Sequence, residues 1–415
     1  MPDTSPLSVE EYRDKVLADL TPLAAYPMPL LETLGLAAAT DVTALVSLPG
    51  FDNSSMDGYA VAWRDVATAS EGSPVVLPVV GENAAGAATL LALPPRAAGK
   101  IMTGAPLPVG ADTVVPYEWT DRGVASVTIT QAPSGQGQHV RREGDDVRRD
   151  DLILSAGTIL GPRQLGLLAA TGHASVPARP RPRVVVLSTG SELREPGRPL
   201  GPDSIHDSNS FLLAAAAKAA GAIAYRVGIV PDEPDAFLEA LDDQLVRADL
   251  VVTSGGVSAG DYDVVKEALA PRGVWFGPVA MQPGKPQGFG YVGADREDPV
   301  PVFALPGNPV SAYVSFQLFV RPALRRLMGV YPEAPTTATA RLTEPVSSMP
   351  GRRQFLRGVL GSDAADGPGR TVSVAGGAAS HLLGDLAVAT CLIVIPEEVT
   401  ALPEGAEVEV LAFDD

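Results

Sequence analysis

The sequence has 415 residues, of which 46% are hydrophobic and 19% charged, and its formal net charge is −18 at pH 7. This length and composition indicate two to four folded domains, whereas the acidity disfavours nucleic-acid binding, which depends on clustered Lys and Arg. A single cysteine, Cys391, excludes an internal disulfide framework and a multi-cysteine zinc site. Because no apolar run approaches the ~18–20 residues that span a bilayer, we expect a cytoplasmic protein without membrane partners.

The N-terminal part of the chain predicts one helix followed by a β-rich module. Ser8 and Glu11 have the spacing of a capping box, which indicates a helix beginning there. Between about residues 50 and 140, the runs PVVLPVV, DTVVPYE and VASVTIT predict strands separated by Gly- and Pro-rich turns. Residues 162–172 predict a second helix, which begins with proline and ends with glycine.

Strand and helix patterns alternate between residues 183 and 328. Strands are predicted at 183–190, 224–230, 249–256 and 302–307, and helices at 208–221, 233–246, 261–270 and 309–328. Near-continuous apolar strands that alternate with helices are typical of a parallel sheet covered on both faces. After about residue 330, the runs ATARLTE, RQFLRGVL, TVSVAG, CLIVIP and AEVEVLAF predict a small C-terminal β domain, in which Cys391 is a buried thiol.

Three predicted strand ends have an unusual composition: LSTGSEL (187–193), TSGGVSAGDYD (253–263) and ALPGNPVSA (304–312). In an open parallel sheet, ligands bind beyond the carboxyl ends of the strands. Gly255, Gly256 and Gly260 would let the backbone approach an anion closely, and Asn308 suits the N-cap of a helix whose N–H groups point at the same edge. Plain tight turns are the alternative, but three such segments at one edge favour an anion site.

Two charged residues near these segments are candidates for the chemistry. Lys285 lies between Gly284 and Pro286 in MQPGKPQGFG, which indicates a rigidly presented ammonium rather than a solvated surface charge. Asp261 begins a predicted helix, so it could be an N-cap, or it could hold Mg²⁺ beside a phosphate. The four histidines are scattered, and neither an HExxH nor a Walker A pattern occurs. The residues alone therefore indicate a nucleotide- or phosphate-like anion with Mg²⁺.

A run of longer motifs makes the resemblance specific: DNSSMDGYAV (52–61), KIMTGAPLPVGADTVVPYE (100–118), STGSEL, HDSNS, DLVVTSGGVSAGDYD, PGKPQGFG, LPGNPVSAYVSF and GRRQFLRG. In this order they resemble the motifs of molybdopterin molybdenumtransferases, the bacterial molybdenum insertases, which are similar to the E domain of gephyrin. The resemblance extends from about residue 8 to the end of the chain.

The resemblance implies both a fold and a reaction. The fold is α/β plus β modules: an elongated homodimer of multi-domain subunits with a parallel-sheet three-layer α/β domain of the molybdopterin-binding type. The implied domains are 1–48 with 140–180 (linker and dimerisation), 49–139 (inserted, β-rich), 181–329 (α/β) and 330–415 (small, β). In the implied reaction, molybdate and adenylated molybdopterin combine in the presence of Mg²⁺, and AMP is released. A molybdopterin adenylyltransferase is a candidate partner.

The resemblance also implies the site residues. The implied catalytic residues are Asp57, Thr103, Glu192, Asp232, Asp261 and Lys285, with Asp261 and Asp57 as the metal contacts. The implied substrate-binding residues are Ser188, Thr189, Gly190, Asp207, Ser254, Gly255, Gly256, Ser258, Pro306, Gly307, Asn308, Ser311, Arg352 and Ser380. Asp57 and Thr103 would act across the dimer, and Lys285, Ser311, Arg352 and Ser380 would surround oxyanions, including molybdate.

Two departures from the family pattern and several alternatives stay open. The turn before Lys285 reads QPGKP instead of KPGKP, so that Gln282 weakens oxyanion binding unless Arg352 or Arg353 compensates. LAVATCLIVIP lacks the usual Asn-Gly or Asp-Gly turn. Asp57 could be a turn carboxylate, and Arg352 a solvated charge. The whole chain could instead be an adenylyltransferase, although SGGVSAGDYD and the flanking domains favour insertion, or a non-catalytic scaffold.

Overall fold

The chain forms two compact units, as seen in a computed structural model that describes residues 5–84, 86, 92–257, 263–293, 296, 298–361 and 370–413. The first unit comprises Met1–Tyr26, Gly35–Ala39 and Ala178–Asp415, and the second comprises Pro27–Leu34 and Thr40–Pro177. The predictions for Ser258, Gly260 and Asp261 lie outside the described residues. Within the described ranges, no helix is both long and apolar enough to cross a membrane.

One mixed sheet organises the first unit. Its strands, β1 to β6 in chain order, are Arg183–Thr189, Ile223–Val230, Leu250–Ser254, Trp275–Pro278, Pro286–Val292 and Val300–Leu305, arranged β2-β1-β3-β6-β5-β4. The four predicted strands β1, β2, β3 and β6 are parallel, as expected. The antiparallel pair β4 and β5 was not predicted, because prolines and glycines interrupt the apolar pattern of WFGP and PQGFGYV.

Helices cover both faces of this sheet, which confirms the three-layer α/β prediction. Val186 of β1 belongs to the same core cluster as Leu213 and Phe319. The next residue, Leu187, points to the opposite face and packs with Phe237. The helices are Asn209–Ala219, Pro234–Leu245, Val264–Leu269, Pro309–Ser315 and Arg321–Met328, and a π-helical segment, Phe316–Val320, joins the last two into the predicted long helix.

The N-terminal helix Val9–Ala18 packs on this α/β core. Its predicted capping box is present: the Glu11 N–H donates to Ser8 Oγ at 3.1 Å, and the Ser8 N–H donates to Glu11 Oε2 at 2.7 Å. Tyr12 is fully buried, with its ring centroid 5.3 Å from that of Trp275. The cap therefore orients the chain so that the apolar face of the helix meets the core.

A small closed barrel ends the chain. Its five strands, all predicted, are Ala338–Leu342, Arg353–Leu360, Thr371–Val374, Cys391–Ile395 and Glu407–Ala412. Pairing of the second strand with the fourth completes the closure, and the short strand Met281–Gln282 adds to the barrel beside Arg353. Cys391 is buried, as predicted. The helix Leu383–Val388, which was not predicted, precedes Cys391 where the usual turn motif is missing.

The second unit contains a five-stranded sheet. In spatial order its strands are Thr113–Pro116, Gly58–Val61, Ala98–Ile101, Val75–Asn83 and Ser126–Ile129. Three of them correspond to the predicted strands, and the helix Pro162–Ala170 is also present as predicted. Gly58–Val61 and Ala98–Ile101 were not predicted as strands, although both lie in or beside the motifs DNSSMDGYAV and KIMTGAP.

The remaining elements are short. They are the strands Tyr26–Pro29, Val42–Thr43, Asn53–Ser54, Val140–Arg141, Leu152–Leu154, Ser175–Ala178, Leu193–Arg194, Ile205–His206, Val346–Ser347 and Ala401–Leu402, the helix Trp63–Val66, and the 3₁₀ turns Leu30–Thr33, Tyr117–Trp119 and Ala270–Arg272.

Candidate functional site

The loops that follow β1, β3 and β6 meet at the carboxyl edge of the parallel strands. Gly255, after β3, has φ +98°, and a Cβ there would lie 2.9 Å from the carbonyl oxygen of Thr189. Its N–H donates to the Leu305 carbonyl at 3.2 Å. Gly256 has φ +66°, and a Cβ there would lie 3.0 Å from the Val265 nitrogen. Both positions thus require glycine, which brings the three loops into contact.

Two carboxylates lie around the end of β1. Thr189 Oγ1 donates to Asp232 Oδ1 at 2.7 Å, and the Asp232 side chain is otherwise exposed. Glu192 is also exposed, and its carboxylate folds back over Gly190, where a Cβ would lie 2.7 Å from Glu192 Oε2. The structure therefore brings together three predicted neighbours of the ligand, Thr189, Asp232 and Glu192, at one strand end.

Other predicted ligand contacts are buried beneath this edge. Asp207 is 1% exposed and accepts hydrogen bonds from Ser188 Oγ at 3.3 Å and from the Ser210 N–H at 3.1 Å. Ser254 is 2% exposed. Because these side chains are enclosed by protein, they support the strand-end loops, and direct contact of Ser188, Asp207 or Ser254 with a substrate stays a prediction.

Asn308 and Ser380 are brought together, although they come from the α/β domain and the barrel region. Asn308 occupies the predicted N-cap of Pro309–Ser315, but its side chain does not bond the helix. Instead, Asn308 Nδ2 donates to Ser380 Oγ at 2.9 Å, and the Val310 N–H donates to the Ser380 carbonyl at 3.1 Å. Ser311 lies in the first turn of this helix and is 4% exposed. The backbone carbonyl of Ser380 thus accepts the helix N–H that an N-cap side chain would otherwise accept.

The turn that carries Lys285 is fixed from inside. The Val279 N–H donates to the Lys285 carbonyl at 2.7 Å. Gln287, which is 1% exposed, donates from Nε2 to the Gly284 carbonyl at 2.7 Å and to Ser315 Oγ at 2.6 Å. The Lys285 side chain is exposed and forms no ion pair with any residue that the structure describes. The backbone of this turn is fixed by hydrogen bonds and the Lys285 side chain is exposed, as expected for a rigidly presented ammonium group.

Arg352 and Arg353 differ in their surroundings. Arg353 is paired with Glu10 and with Glu397, the latter at 3.0 Å. Arg352 is half-buried and donates to Gln282 Oε1 at 3.4 Å, and it has no acidic partner in the described part of the chain. Of the two arginines that could compensate for the loss of a lysine at Gln282, only Arg352 is therefore adjacent and uncommitted.

Sequence reasoning missed Arg357. Its side chain is 2% exposed and donates to the carbonyls of Gly377 and, at 3.2 Å, Ala379, which precede Ser380. Burial lowers the pKa of the Arg357 guanidinium, and the Asp385 carboxylate at 3.9 Å partly opposes that shift. The motif GRRQFLRG contains Arg357, so the signal was present, but strand periodicity alone does not distinguish a buried arginine from an exposed one.

In the second unit, Asp57 and Thr103 are in direct contact. Asp57 Oδ1 accepts hydrogen bonds from the Thr103 N–H at 2.7 Å and from Thr103 Oγ1 at 2.8 Å. The backbone bond is the larger cause, and together the two bonds lower the pKa of the Asp57 carboxyl. None of the described residues donates a hydrogen bond to the second oxygen of this carboxylate, so the predicted pair is a preformed, ionised and exposed group.

Three family profiles match the chain. They are described as MoeA N-terminal region (domain I and II), probable molybdopterin binding domain, and MoeA C-terminal region (domain IV), and they match residues 7–172, 185–326 and 339–413. Molybdopterin molybdenumtransferase 2 of Mycobacterium tuberculosis is 45% identical over 410 residues, which cover 97% of this chain and 98% of the relative. Molybdopterin molybdenumtransferase 1 of that organism is 40% identical over 422 residues, with coverage of 97% and 98%.

Solved structures agree with these matches. Two crystal structures of the molybdopterin biosynthesis MoeA protein from Pyrococcus horikoshii superimpose with TM-scores of 0.84 and 0.81, at 32% and 26% identity, and cover 99% of this chain and 100% of theirs. The similarity in sequence and fold thus extends over both compact units. The chain belongs to the molybdopterin molybdenumtransferase family of transferases.

Proposed function

We propose that this chain completes molybdenum cofactor synthesis by inserting molybdenum from molybdate into adenylated molybdopterin, with release of AMP. One observation in particular supports this proposal beyond family membership. Glycine turns, two exposed carboxylates and the lysine turn all belong to the same compact unit as the parallel strands β1, β3 and β6. The carboxyl edge of such strands suits an anionic nucleotide-like substrate.

The proposed roles follow from the charges of the side chains. Lys285 and Arg352 would bind oxyanions, because neither is neutralised by an acid among the residues described. Ser311 and Ser380 would complete that subsite, as the resemblance implies. Cleavage of a phosphoanhydride develops negative charge on oxygen, which a fixed ammonium and oriented N–H groups stabilise without a histidine base.

Mg²⁺ is the proposed cofactor, and the described residues fit it. No group of three or more His, Cys, Asp or Glu side chains in the described ranges is arranged as a complete metal cage. Mg²⁺ does not need one, since it usually binds one or two carboxylates together with waters and substrate phosphates. Asp232 and Glu192 offer exposed oxygens in the first unit, and Asp57 offers one in the second. Asp261 remains a contact proposed from sequence. The ion would neutralise phosphate charge.

The proposed assembly is a homodimer of four-domain subunits with the boundaries given above. Large apolar side chains are exposed in the segments assigned to dimerisation: Leu31, Leu34, Leu45, Val46, Leu152 and Ile159. Exposed apolar groups in one region are typical of protein interfaces. A molybdopterin adenylyltransferase remains a proposed partner, because its product would be the substrate here.

The direct test is AMP release from adenylated molybdopterin by the purified protein. We expect release that requires both molybdate and Mg²⁺ and stops when EDTA removes the metal. Lys285→Ala should raise the KM for molybdate on the order of 10-fold or more, because one charge-assisted contact is lost. Lys218→Ala is the matched control, since Lys218 is an exposed helix lysine outside the proposed site.

Two outcomes would replace the proposal. Formation of the adenylate from ATP and molybdopterin, without molybdate dependence, would identify an adenylyltransferase. Tight substrate binding with no turnover under any metal condition would favour a non-catalytic scaffold.

A further inference from the structure

Asn209 connects two of the loops that form the candidate site. It is the first residue of helix Asn209–Ala219 and is half-buried. Its side-chain nitrogen Nδ2 donates to Ser254 Oγ at 2.8 Å and to the Gly307 carbonyl at 2.6 Å. Ser254 ends β3, and Gly307 follows β6, so one amide group ties together the carboxyl ends of two neighbouring parallel strands.

The chemistry of the acceptors fixes the orientation of this amide. The Gly307 oxygen is a carbonyl and can only accept, so it must face the NH₂ group of Asn209. Ser254 Oγ can accept from Asn209 because its own hydrogen points toward the Pro306 carbonyl, 3.4 Å away. Asn209 Oδ1 is buried without a hydrogen-bond partner in the described structure. The two hydrogen bonds that Nδ2 donates stabilise this orientation, and they offset the unfavourable free energy of burying Oδ1 without a partner.

The loops that Asn209 joins have little room to move independently. The Cα of Gly255 lies 3.5 Å from the place that a Cβ on Gly307 would occupy, and the Thr189 carbonyl oxygen lies 2.9 Å from the place that a Cβ on Gly255 would occupy. The loop after β3 and the loop after β6 are therefore packed against each other, and the distance between them is fixed. That spacing sets the position of the glycine turn at Gly255 and Gly256 relative to the loop after β6.

We propose that Asn209 is a positioning residue for the molybdenum-insertion site. It sets the distance between residues 254–256 and residues 306–308 by donating from one amide to both loops. It acts through these loops and does not itself touch the substrate. The inference rests on the proposed function for its kinetic consequence, but the link between the loops is independent of it.

The sharpest variant is Asn209→Asp, which keeps the shape and removes the donor. At neutral pH the introduced carboxylate would face the Gly307 carbonyl and repel it. We expect kcat/KM for adenylated molybdopterin to fall on the order of 10- to 100-fold at pH 7.5, as for other small displacements of reacting groups. Because a protonated carboxyl can donate one bond, we expect part of the activity to return as the pH is lowered toward about 6, relative to the unsubstituted protein.

The matched control is Ser208→Ala. Ser208 is the N-cap of the same helix, but its side chain makes no capping hydrogen bond, so the substitution should leave kcat/KM unchanged. Asn209→Ser, which keeps a shorter donor, should lower kcat/KM by an intermediate amount. This variant replaces Asn209→Asp in the test if Asn209→Asp does not fold.

Hydrogen–deuterium exchange separates the two proposals. Asn209→Asp should increase amide exchange severalfold in residues 250–257 and 304–310, whereas Ser208→Ala should not. If Asn209→Asp shows faster exchange but the unsubstituted protein does not insert molybdenum, the proposed function is refuted. The role of Asn209 in joining the two loops would then still stand. Unchanged exchange, or full kcat/KM in Asn209→Asp at every pH, would overturn the inference.

Discussion

The pair of Asp57 and Thr103 shows how local hydrogen bonds set the charge of an acid without burial. Asp57 is fully exposed, yet the N–H and hydroxyl of Thr103 lower the pKa of its carboxyl. A group with a depressed native pKa stabilises the fold fully above its unfolded pKa, which is about 3.9 for aspartate. That contribution is lost as the pH falls below this value and through the native pKa. Asp57 is therefore ionised throughout the neutral range.

Substitution at Thr103 tests this relation. Thr103→Val removes the hydroxyl donor and keeps the backbone donor, so we expect the pKa of Asp57 to rise part of the way toward the ordinary aspartate value. Carboxyl carbon NMR over a pH titration measures it. Thr130→Val, which removes a hydroxyl bonded to the Trp119 carbonyl instead, should leave the pKa of Asp57 unchanged. An unchanged Asp57 titration in Thr103→Val would contradict the assignment.

The site residues differ in how far sequence predicted them. Lys285 was identified because glycine and proline on either side fix its backbone, a local feature that sequence shows directly. Arg357 was missed because its role depends on carbonyls of residues 377 and 379, which only the barrel fold brings to it. Asn209 was missed as well, although HDSNS contains it, since its two acceptors come from different strands.

At the scale of elements, the N-terminal helix contributes large apolar side chains to the hydrophobic core of the first unit. Tyr12 is fully buried between Trp275 and Phe319, with ring centroids 5.3 and 4.7 Å away. Its hydroxyl is buried without a hydrogen-bond partner among the described residues, and burial raises the pKa of that hydroxyl. The ring therefore stabilises this contact, whereas the hydroxyl works against it.

Two substitutions of Tyr12 separate the ring from the hydroxyl. Tyr12→Ala should lower the free energy of unfolding by about 3–5 kcal/mol, because it leaves a large cavity. Tyr12→Phe removes only the unpaired oxygen, so stability should stay the same or rise by about 1 kcal/mol. Denaturant titration of both variants measures this. A loss of more than about 1 kcal/mol in Tyr12→Phe would show that the hydroxyl is bonded after all.

Helices and strands were predicted correctly where the apolar residues follow one regular pattern, and they were missed where glycine and proline interrupt that pattern. The parallel strands and all five barrel strands were identified from continuous or alternating apolar runs. Strands β4 and β5 were not, because their pairing compensates for poor intrinsic strand preference. The π-helical segment Phe316–Val320 had no sequence signal either, since the apolar pattern continues through it.

At the scale of the whole molecule, the exposed apolar side chains of the second unit predict self-association. Leu31 is 85% exposed, and we expect Leu31→Asp to shift the protein from dimer to monomer in sedimentation experiments. Val124→Asp is the control, because Val124 is 88% exposed but lies in the β-rich segment outside the proposed dimerisation residues. A dimer that persists in Leu31→Asp and dissociates in Val124→Asp would place the interface elsewhere.

The acidity of the chain makes the location of an oxyanion the central question. With a formal charge of −18, the molecule repels anions unless oriented N–H groups, Lys285, Arg352 and a bound dication outweigh that field locally. Crystals grown with AMP, Mg²⁺ and molybdate, and measured at the molybdenum absorption edge, test this most directly. We predict nucleotide density and the anomalous peak at the carboxyl ends of β1, β3 and β6, near Lys285 and Arg352. Both ligands bound away from this edge would contradict the account.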